Sequence, residues 1–554
     1  MFISFKHCLS NTFFLIQLIN LFIMFCLVNS DKIEARIKLY GNKRWEVVYS
    51  NFKEDDIYVA TAFYNDSFAK TGWDTLSIST NSMFSDEIQA EAAGRLEGEL
   101  TNSRIYNHYL NVKDDYVIND QIKEFFEKQE SFVFDSMKKD GKNDPILYNA
   151  YLIKIQYNAL MDQYNSKVDT SQKLTKSDFH LINYIAELMD LSEKYRVEKY
   201  GETDYSKMTD NELFNNFLKR THCSALLKIK NDLSDLYYGH NTWNTYYSAI
   251  RIIKEYNFNF NNRWIKSKNI IFTSYPATLS SLDDLYTASH GLVVMETTNV
   301  FYNDTLYKEI VPESLFTCER VMIANRISNS SKEWVENFIK YNSGTYNNQF
   351  MVLDKNKVDL VNKKIDIDAF YIVEQIPGFT KINNVTHFLK FGYWSSYNVP
   401  FDREIYERSA IQKIIDQRPE LVYALDYNNC ARTKIFRREQ NSADNLEGFM
   451  KLMRYNKYKS DPYSEGNPSN SISARSDLNG SCSGAYDSKV GVLSEFKNGK
   501  IVIHMIAGPT WDDEEGIEPF SWNKADEKCK NHAHNLIPEI FKFDWTEYNS
   551  DFDF

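Results

Sequence analysis

The chain has 554 residues, 43% hydrophobic and 15% aromatic, so it can bury a sizeable core in one large domain or several average ones. Its formal net charge of -12 argues against nucleic-acid binding, because no basic patch dominates the sequence. The sequence also offers no polybasic segment that would hold the protein on a membrane surface.

The N-terminus has the features of a targeting segment. Residues 13–28 are mostly apolar after a weakly basic start, and residues 28–30 offer a site for a signal peptidase. We predict a signal peptide over residues 1–30. The alternative is a signal anchor that stays in the membrane, but the apolar run is short for that role. We therefore expect a soluble chain without a stable membrane anchor in the secretory pathway.

Residues 31–110 change from strand patterns to a helical pattern. Short apolar runs such as 57–63 predict strands over 31–80, which end in a turn at 71–73. From residue 85 to 110, apolar residues recur four apart and predict a helix. The apolar positions are Ile88, Ala92, Leu96 and Leu100.

Residues 115–198 predict three more helices, rich in Glu, Lys, Leu and Tyr, whose charged residues form solvated faces. A polar segment, 198–208, and a short helix then lead into His222. Exposed polar segments of this kind are preferred sites of proteolysis. Residues 199–222 could therefore serve as a removable or mobile linker.

Residues 221–254 predict a strand, a turn, a second strand and a helix. An apolar run over 224–230 is followed by turn residues at 231–235 and a second short strand at 236–238. Asn241 or Thr242 can cap the helix. Its apolar face would comprise Trp243, Tyr246, Tyr247, Ile250 and Ile253. Cys223 then begins a strand, and strand pairing could bring His240 and Trp243 back towards it.

After residue 255 the sequence is dominated by strand patterns. A helix is predicted at about 331–341, and Asn498-Gly499 between two apolar runs, 490–496 and 500–506, predicts a hairpin. Strands with interspersed helices indicate a layered α+β domain. The other predicted strands are 270–275, 291–300, 349–353, 370–373 and 388–393.

Removal of the signal peptide would leave five cysteines of the original seven. An odd number in an oxidising route leaves at least one thiol, for which Cys223 is our candidate. The sequence does not pair the other four, which are Cys318, Cys430, Cys482 and Cys529. Five sequons predict glycosylated surface loops. They begin at Asn65, Asn303, Asn329, Asn384 and Asn479.

Several motifs together resemble the phospholipase B-like family, over about residues 55–545. The central match is His-Cys-Ser-Ala-Leu at 222–226, then a hairpin, His-Asn-Thr-Trp at 240–243 and Arg-Ile-Ile-Lys at 251–254. Further matches are residues 93–101 with Ile105 and His108, residues 342–349, residues 396–400 and residues 431–438.

The resemblance implies an N-terminal-nucleophile hydrolase with a four-layer αββα sandwich, preceded by a helix-rich N-terminal fragment. The precursor would cut itself between His222 and Cys223. The resulting fragments, 31–222 and 223–554, would stay associated as one large domain. The resemblance places Cys223, His240, Trp243, Asn398 and Arg432 in the catalytic site, with Thr298 lining it.

The chemistry of such a site follows from its residue types. A thiol attacks as the thiolate and needs a base. A free α-amino group, with a pKa of about 8, could take the proton, whereas the amide nitrogen of an internal cysteine could not. The Asn398 amide could donate to an oxyanion, and the charge of Arg432 could favour the thiolate.

Each of these residues also has a plainer interpretation. His240 could be a hydrogen-bonded core histidine, Trp243 a core residue, Asn398 a turn residue before Val-Pro, and Arg432 a surface residue near other basic side chains.

The function that the resemblance implies is deacylation of phospholipids or related acyl esters in a lysosomal or secreted protein. The alternatives are an amidase acting on N-acyl lipids or peptides, and a catalytically silent lysosomal glycoprotein that binds lipid. We find no Gly-x-Ser-x-Gly elbow, phosphate loop or dinucleotide fingerprint. Cys529 lies near His532 and His534 without a second cysteine, so we expect no metal or cofactor. Whether the protein forms a homodimer stays open.

Overall fold

The structure is a computed structural model that describes residues 32–550, except 42–43, 54, 140, 210–211, 214–215, 217–222, 283 and 498–499. The predicted signal peptide, His222 and the Asn498-Gly499 turn therefore lie outside the described residues. The described strands are β1 Lys32–Tyr40, β2 Arg44–Val48, β3 Ala60–Asn65, β4 Trp73–Thr80, β5 Ser224–Ile229, β6 Leu236–Asn241, β7 Trp243–Thr245, β8 Arg251–Asn257, β9 Asn269–Ser274, β10 Leu285–Ala288, β11 Leu292–Thr298, β12 Asn348–Asp354, β13 Val358–Asp359, β14 Lys364–Ile365, β15 Phe370–Ile376, β16 Phe379–Asn384, β17 Tyr393–Ser396, β18 Ser483–Ala485, β19 Asp487–Val492, β20 Val502–Ala507 and β21 Thr546–Asn549.

The α-helices precede, follow and interrupt these strands. The described ones are α1 Phe68–Thr71, α2 Asp86–Leu100, α3 Asn102–Val112, α4 Asp120–Lys139, α5 Pro145–Lys167, α6 Lys176–Asn183, α7 Ile185–Tyr200, α8 Thr317–Ile327, α9 Ser331–Phe338, α10 Arg403–Arg408, α11 Ile411–Gln417, α12 Val422–Leu425, α13 Ala431–Glu439, α14 Leu446–Met453 and α15 Glu527–Lys530.

Two large sheets organise the described strands. The larger has 11 strands in the order β16-β15-β12-β11-β10-β9-β8-β4-β3-β1-β2. The smaller has six, in the order β17-β5-β6-β19-β20-β21. Two short pairs, β13-β14 and β18-β7, complete the pairing. The chain is therefore a mixed α+β fold, as predicted.

Both faces of the central strands are covered by apolar residues. On β11, Leu292 and Val294 join a core shared with the helices, whereas Val293 and Met295 join a core that also contains residues of the smaller sheet. On β5, Leu226 instead joins a third core with α13 and α14. Since alternate side chains of a strand point to opposite faces, β11 packs against helices on one face and against residues of the smaller sheet on the other.

The two hairpins predicted from the sequence are confirmed. β5 and β6 pair antiparallel, with Ala225 opposite His240. β19 and β20 also pair antiparallel, and the described residues on either side of the predicted turn approach each other. The β5–β6 register brings the end of β6 next to Cys223, as expected.

The helix predicted after Thr242 is wrong. Trp243 starts the short strand β7, a single 3-10 turn follows over Tyr246–Ser248, and Arg251 starts β8. The residues of β8 from Arg251 to Tyr256 are all buried. Three of these buried residues, Arg251, Lys254 and Glu255, are charged, so the apolar residues of β8 lack the period of two that marks a strand and keep a helical spacing instead.

Two other predictions need correction. Residues 388–393 do not form one strand, because a 3-10 segment, Thr386–Phe391, ends at Gly392 and the strand begins only at Tyr393. Gly392 has a φ of 85°, a conformation that favours glycine. Residues 115–198 form four helices, not three, because Thr175 caps a separate short helix, α6, before α7.

Gly94 and Gly98 explain why helices α2 and α5 lie so close. A Cβ atom on Gly94 would come within 2.0 Å of the Gln156 carbonyl oxygen, and one on Gly98 within 2.4 Å of the Leu160 carbonyl oxygen. Only glycine permits such an approach of two helix backbones. The pair therefore brings the backbones of α2 and α5 into direct contact.

Candidate active site

Cys223 lies immediately before β5 and is 2% exposed. Its φ of 82° is unusual for a residue other than glycine. The residue lines a cavity of about 880 Å³, within the range of roughly 300–1,000 Å³ that is typical of ligand pockets. Cys223 thus combines a strained backbone with access to a ligand-sized space.

Arg432 connects the elements around Cys223. From the first turn of α13 its Nη1 donates to the Cys223 carbonyl oxygen at 2.7 Å and to Ser224 Oγ at 3.2 Å. Its Nη2 donates to the Tyr397 carbonyl oxygen and to Asn398 Oδ1, both at 2.7 Å. This buried guanidinium holds the start of β5 and the Asn398 loop together, so the surface interpretation of Arg432 is wrong.

Arg432 keeps its positive charge although its side chain is buried. Burial lowers the pKa of its guanidinium to about 10, opposed by the anionic forms of Cys430 and Cys223. The group therefore stays protonated at neutral and acidic pH, and its charge interacts favourably with a thiolate on Cys223. The guanidinium carbon also lies 4.4 Å from the centre of the Trp243 ring. Trp243 therefore shields this cation as well as lining the cavity.

Asn398 is held at both ends of its side-chain amide. Oδ1 accepts the bond from Arg432, and Nδ2 donates to the Thr298 carbonyl oxygen at 2.8 Å. An amide nitrogen carries two hydrogens, so the bond to Thr298 uses one of them. Asn398 has a φ of 72°, in the left-handed region that asparagine tolerates better than most residues. Thr298 ends β11 and lines the cavity.

His240 lies on the other side of Cys223, together with a residue that the sequence did not single out. Donor atoms of Cys223, His240 and Glu296 all lie within 4.8 Å of one another, and all three residues are buried. Glu296 Oε1 also accepts a bond from the Tyr346 hydroxyl at 3.2 Å. The sequence contained one sign that Glu296 belongs to a site. It is a carboxylate inside the mostly apolar strand β11, and glutamate is rarely fully buried without a partner.

Behind the site, a charged cluster fixes the segment that carries Trp243. Asp487 accepts bonds from the Thr242 backbone N–H at 3.0 Å and from Lys489 Nζ at 2.8 Å. Its other oxygen pairs with Arg251 Nη2 at 3.1 Å. These residues are fully buried or nearly so. The cluster holds β7 at the end of β6, at the site's edge.

The cavity has apolar and acidic parts. Apolar side chains come from α7 and from the segment that follows β11, and carboxylates come from the segment after α3 and from the middle of α7. Burial raises the pKa of Asp115 to about 6, although the Tyr247 hydroxyl donates to it. The cavity could thus hold an acyl chain beside a polar group. Its lining includes Ile185, Met189, Val300, Phe301, Asp115, Asp190 and Glu193.

The structure pairs two of the four cysteines that the sequence left open. Cys482 and Cys529 form a disulfide, whereas Cys223, Cys318 and Cys430 are thiols. Burial raises the pKa of the Cys430 thiol to about 11 and that of Cys318 well above its usual value. Both are therefore poor nucleophiles, Cys430 even though the charge of Arg432 acts on it.

The five sequons differ in exposure. Asn329, Asn384 and Asn479 are exposed, and Asn479 borders the cavity, whereas Asn65 and Asn303 are half-buried. Glycosylation at each stays a prediction.

Glu374 fixes the backbone just beyond Asn398. Its ionisation can be tested through the pH dependence of the free energy of unfolding. This fully buried carboxylate accepts bonds from Gln349 Nε2 and from the backbone N–H groups of Phe401 and Asp402. Burial nevertheless raises its pKa from 4.5 to about 7. A raised pKa means that the folded state binds more protons than the unfolded state between these values, so the free energy of unfolding falls as pH rises through that window.

We expect Glu374→Gln to flatten the decline in the free energy of unfolding between pH 4.5 and 7, by up to about 3 kcal/mol. Denaturant unfolding at several pH values measures this slope. The exposed Glu309→Gln is the control for removing one negative charge. An unchanged slope in Glu374→Gln would show that this carboxyl group ionises normally.

Among the described helices, none has the length and apolar character needed to cross a membrane.

Comparison with known proteins agrees with the family resemblance of the sequence motifs. The phospholipase B family matches residues 60–548. Phospholipase B-like 1 of Rattus norvegicus is 36% identical over 505 residues, which cover 89% of this chain and 87% of that protein.

Two further relatives are similar. Phospholipase B-like protein B of Dictyostelium discoideum is 37% identical over 514 residues, 90% of this chain and 87% of that protein. Phospholipase B of Crotalus adamanteus is 36% identical over 528 residues, 91% of this chain and 92% of that protein. These matches extend over nearly all of the described fold, and the chain belongs to the phospholipase B family.

Proposed function

We propose that the chain is a phospholipase B-like hydrolase that cleaves acyl esters of phospholipids, or related esters, through a thioester on Cys223. The observation that carries the proposal is that Arg432 bonds the Cys223 carbonyl and also contacts Asn398 and Trp243, at the wall of a ligand-sized cavity that Cys223 lines. The names of the relatives support phospholipids as the substrate class.

The fold proposed for this function is the four-layer sandwich of N-terminal-nucleophile hydrolases, activated by cleavage between His222 and Cys223. The left-handed φ of Cys223 supports this, because such strain typically costs about 1–3 kcal/mol and clusters at functional sites. Breaking the bond before Cys223 would release the strain. It would also create the α-amino group that serves as the base.

In the precursor, the thiol of Cys223 attacks the carbonyl carbon of His222. A C–S bond forms, the C–N bond breaks, and the nitrogen of Cys223 gains a proton and becomes the free amine. Water then hydrolyses the thioester, leaving a carboxylate on His222 and the thiol on Cys223. A His240 ring nitrogen lies within 4.8 Å of the thiol sulfur, so His240 can take the thiol proton through one water before an amine exists.

In the processed enzyme, the α-amino group of Cys223 takes the thiol proton and the thiolate attacks the acyl carbonyl carbon. The Asn398 amide donates to the resulting oxyanion. The C–O bond then breaks, and the alcohol leaves with the proton returned by the amine. Water attacks the thioester, which releases the fatty acid and restores the thiol.

Mature protein should contain two fragments, about 31–222 and 223–554, that remain associated. Strand β4 of the first pairs in parallel with β8 of the second, from Trp73 and Arg251 onwards. The buried pair Lys254–Glu97, 2.7 Å apart, also joins them. Separating the fragments would therefore break the larger sheet and expose buried charges.

Denaturing gels and N-terminal sequencing of protein recovered from acidic compartments measure this processing. We expect a cysteine as the first residue of the larger fragment, and co-elution of both fragments on gel filtration. A single intact chain that hydrolyses phospholipid would contradict the proposed activation.

We further propose that the protein travels through the secretory pathway and is lysosomal or secreted. The apolar N-terminal segment and the Cys482–Cys529 disulfide support this, because disulfides form and persist in oxidising compartments.

A further inference from the structure

We infer that Cys223, His240 and Glu296 form a binding site for a thiophilic divalent cation such as Zn²⁺, and that the bound cation inhibits the enzyme. The inference rests on the proposed function only in naming Cys223 as the nucleophile. The site itself is defined by the positions of the three side chains.

The donor set fits this class of cation. Thiolate sulfur, imidazole nitrogen and carboxylate oxygen are the three side-chain ligand types that Zn²⁺ uses, with bond lengths of about 2.0–2.3 Å. Such bonds place tetrahedral ligand atoms roughly 3–4 Å apart. The donor atoms of Cys223, His240 and Glu296 lie within 4.8 Å of one another. Side-chain adjustments of about 1 Å would therefore bring them to one ion.

The backbone around the three ligands is well fixed. Cys223 precedes β5, His240 lies on β6, and Glu296 lies on β11 of the other sheet. Ligands carried by strands are placed more accurately than ligands on loops. The hydroxyl of Tyr346 donates to Glu296 Oε1 at 3.2 Å, the kind of outer contact that orients a metal-binding carboxylate.

Processing would complete the coordination. After cleavage, the α-amino nitrogen and the thiolate sulfur of Cys223 can bind one cation together, in a five-membered chelate ring. With His240 and Glu296 this gives four protein ligands, the number typical of closed structural Zn²⁺ sites. In the unprocessed chain the amide nitrogen is not a ligand, so a water must take the fourth position and binding is weaker.

A cation bound here acts as an inhibitor. It occupies the lone pair of the thiolate that attacks the acyl carbon and the lone pair of the amine that takes the proton. The route to the site is open, because Cys223 and Tyr346 both line the 880 Å³ cavity.

The test is cation binding to chelator-treated, processed protein, measured by calorimetry with ZnCl₂ and by absorption with CoCl₂. We expect one Zn²⁺ per chain, and a sulfur-to-cobalt charge-transfer band in the near ultraviolet. Glu296→Gln should weaken binding at least tenfold, and Cys223→Ser should abolish the band while a thermal melt confirms folding. Zn²⁺ should inhibit hydrolysis reversibly, with activity restored by a chelator.

Cys318→Ala and Cys430→Ala are the matched controls, since each removes another buried thiol and should leave the band unchanged. The inference is overturned by binding that persists in Cys223→Ser, by binding unaffected in Glu296→Gln, or by no binding at millimolar Zn²⁺. Absence of hydrolase activity with intact cation binding would instead count against the proposed function alone. Tighter binding by processed than by unprocessed protein would identify the α-amino group as the fourth ligand.

Discussion

Cys223→Ala is expected to yield a single uncleaved chain without hydrolase activity. Alanine provides neither the sulfur that attacks the His222 carbonyl nor a nucleophile for the acyl group. The fold should persist, because loss of one small buried group typically costs only about 1–2 kcal/mol. Gel analysis of processing, thermal melts and release of fatty acid from phospholipid vesicles measure the three outcomes.

Cys223→Ser separates the two roles of this residue. Its hydroxyl is a weaker nucleophile, so slow self-cleavage with little turnover is expected. Cys318→Ala and Cys430→Ala are controls at thiols whose pKa is raised by burial, and they should be processed and active like the wild type. Wild-type processing and activity in Cys223→Ala would show that the nucleophile lies elsewhere.

Local sequence patterns predict part of the structure around Cys223. The apolar run before the turn at 231–235 is predicted as a short strand. Together with the second short strand after the turn it predicts the β5–β6 hairpin. Helix α2 is predicted by Ile88, Ala92, Leu96 and Leu100, which recur four apart, although buried residues lie around most of the helix. The position of Arg432 came from family resemblance, since nothing in its basic surroundings distinguishes a buried arginine from a surface one.

The errors arise where long-range packing decides local structure. Strand β8 is buried on both faces by the helical layer and by the second sheet, so its apolar spacing resembled that of a helix. Glu296 was not predicted as a site residue, because its proximity to Cys223 depends on how β11 of one sheet faces the start of β5 in the other. No local pattern contains that information.

Asn398→Ala is expected to lower kcat by roughly a hundredfold or more, as the loss of one oxyanion donor does in other hydrolases. The Asn398 amide is fixed by Arg432 at Oδ1 and by the Thr298 carbonyl at Nδ2, so it does not need to reorganise when charge develops. KM should change much less, because the ground-state carbonyl uses the donor weakly. The measurement is steady-state kinetics on processed enzyme, which keeps a cleavage defect from being counted as a catalytic one.

Two further variants separate the amide from the backbone at this position. Asn398→Gly accepts the φ of 72° without strain and removes the donor, so it should be as slow as Asn398→Ala. Asn398→Asp keeps an acceptor for Arg432 but places a carboxylate oxygen against the Thr298 carbonyl and against the developing oxyanion. We expect it to be at least as damaging as alanine. Normal kcat in Asn398→Gly, or a raised KM with unchanged kcat in Asn398→Ala, would make Asn398 a turn or substrate-binding residue. The oxyanion donor would then have to be sought at Thr298 or at a backbone amide.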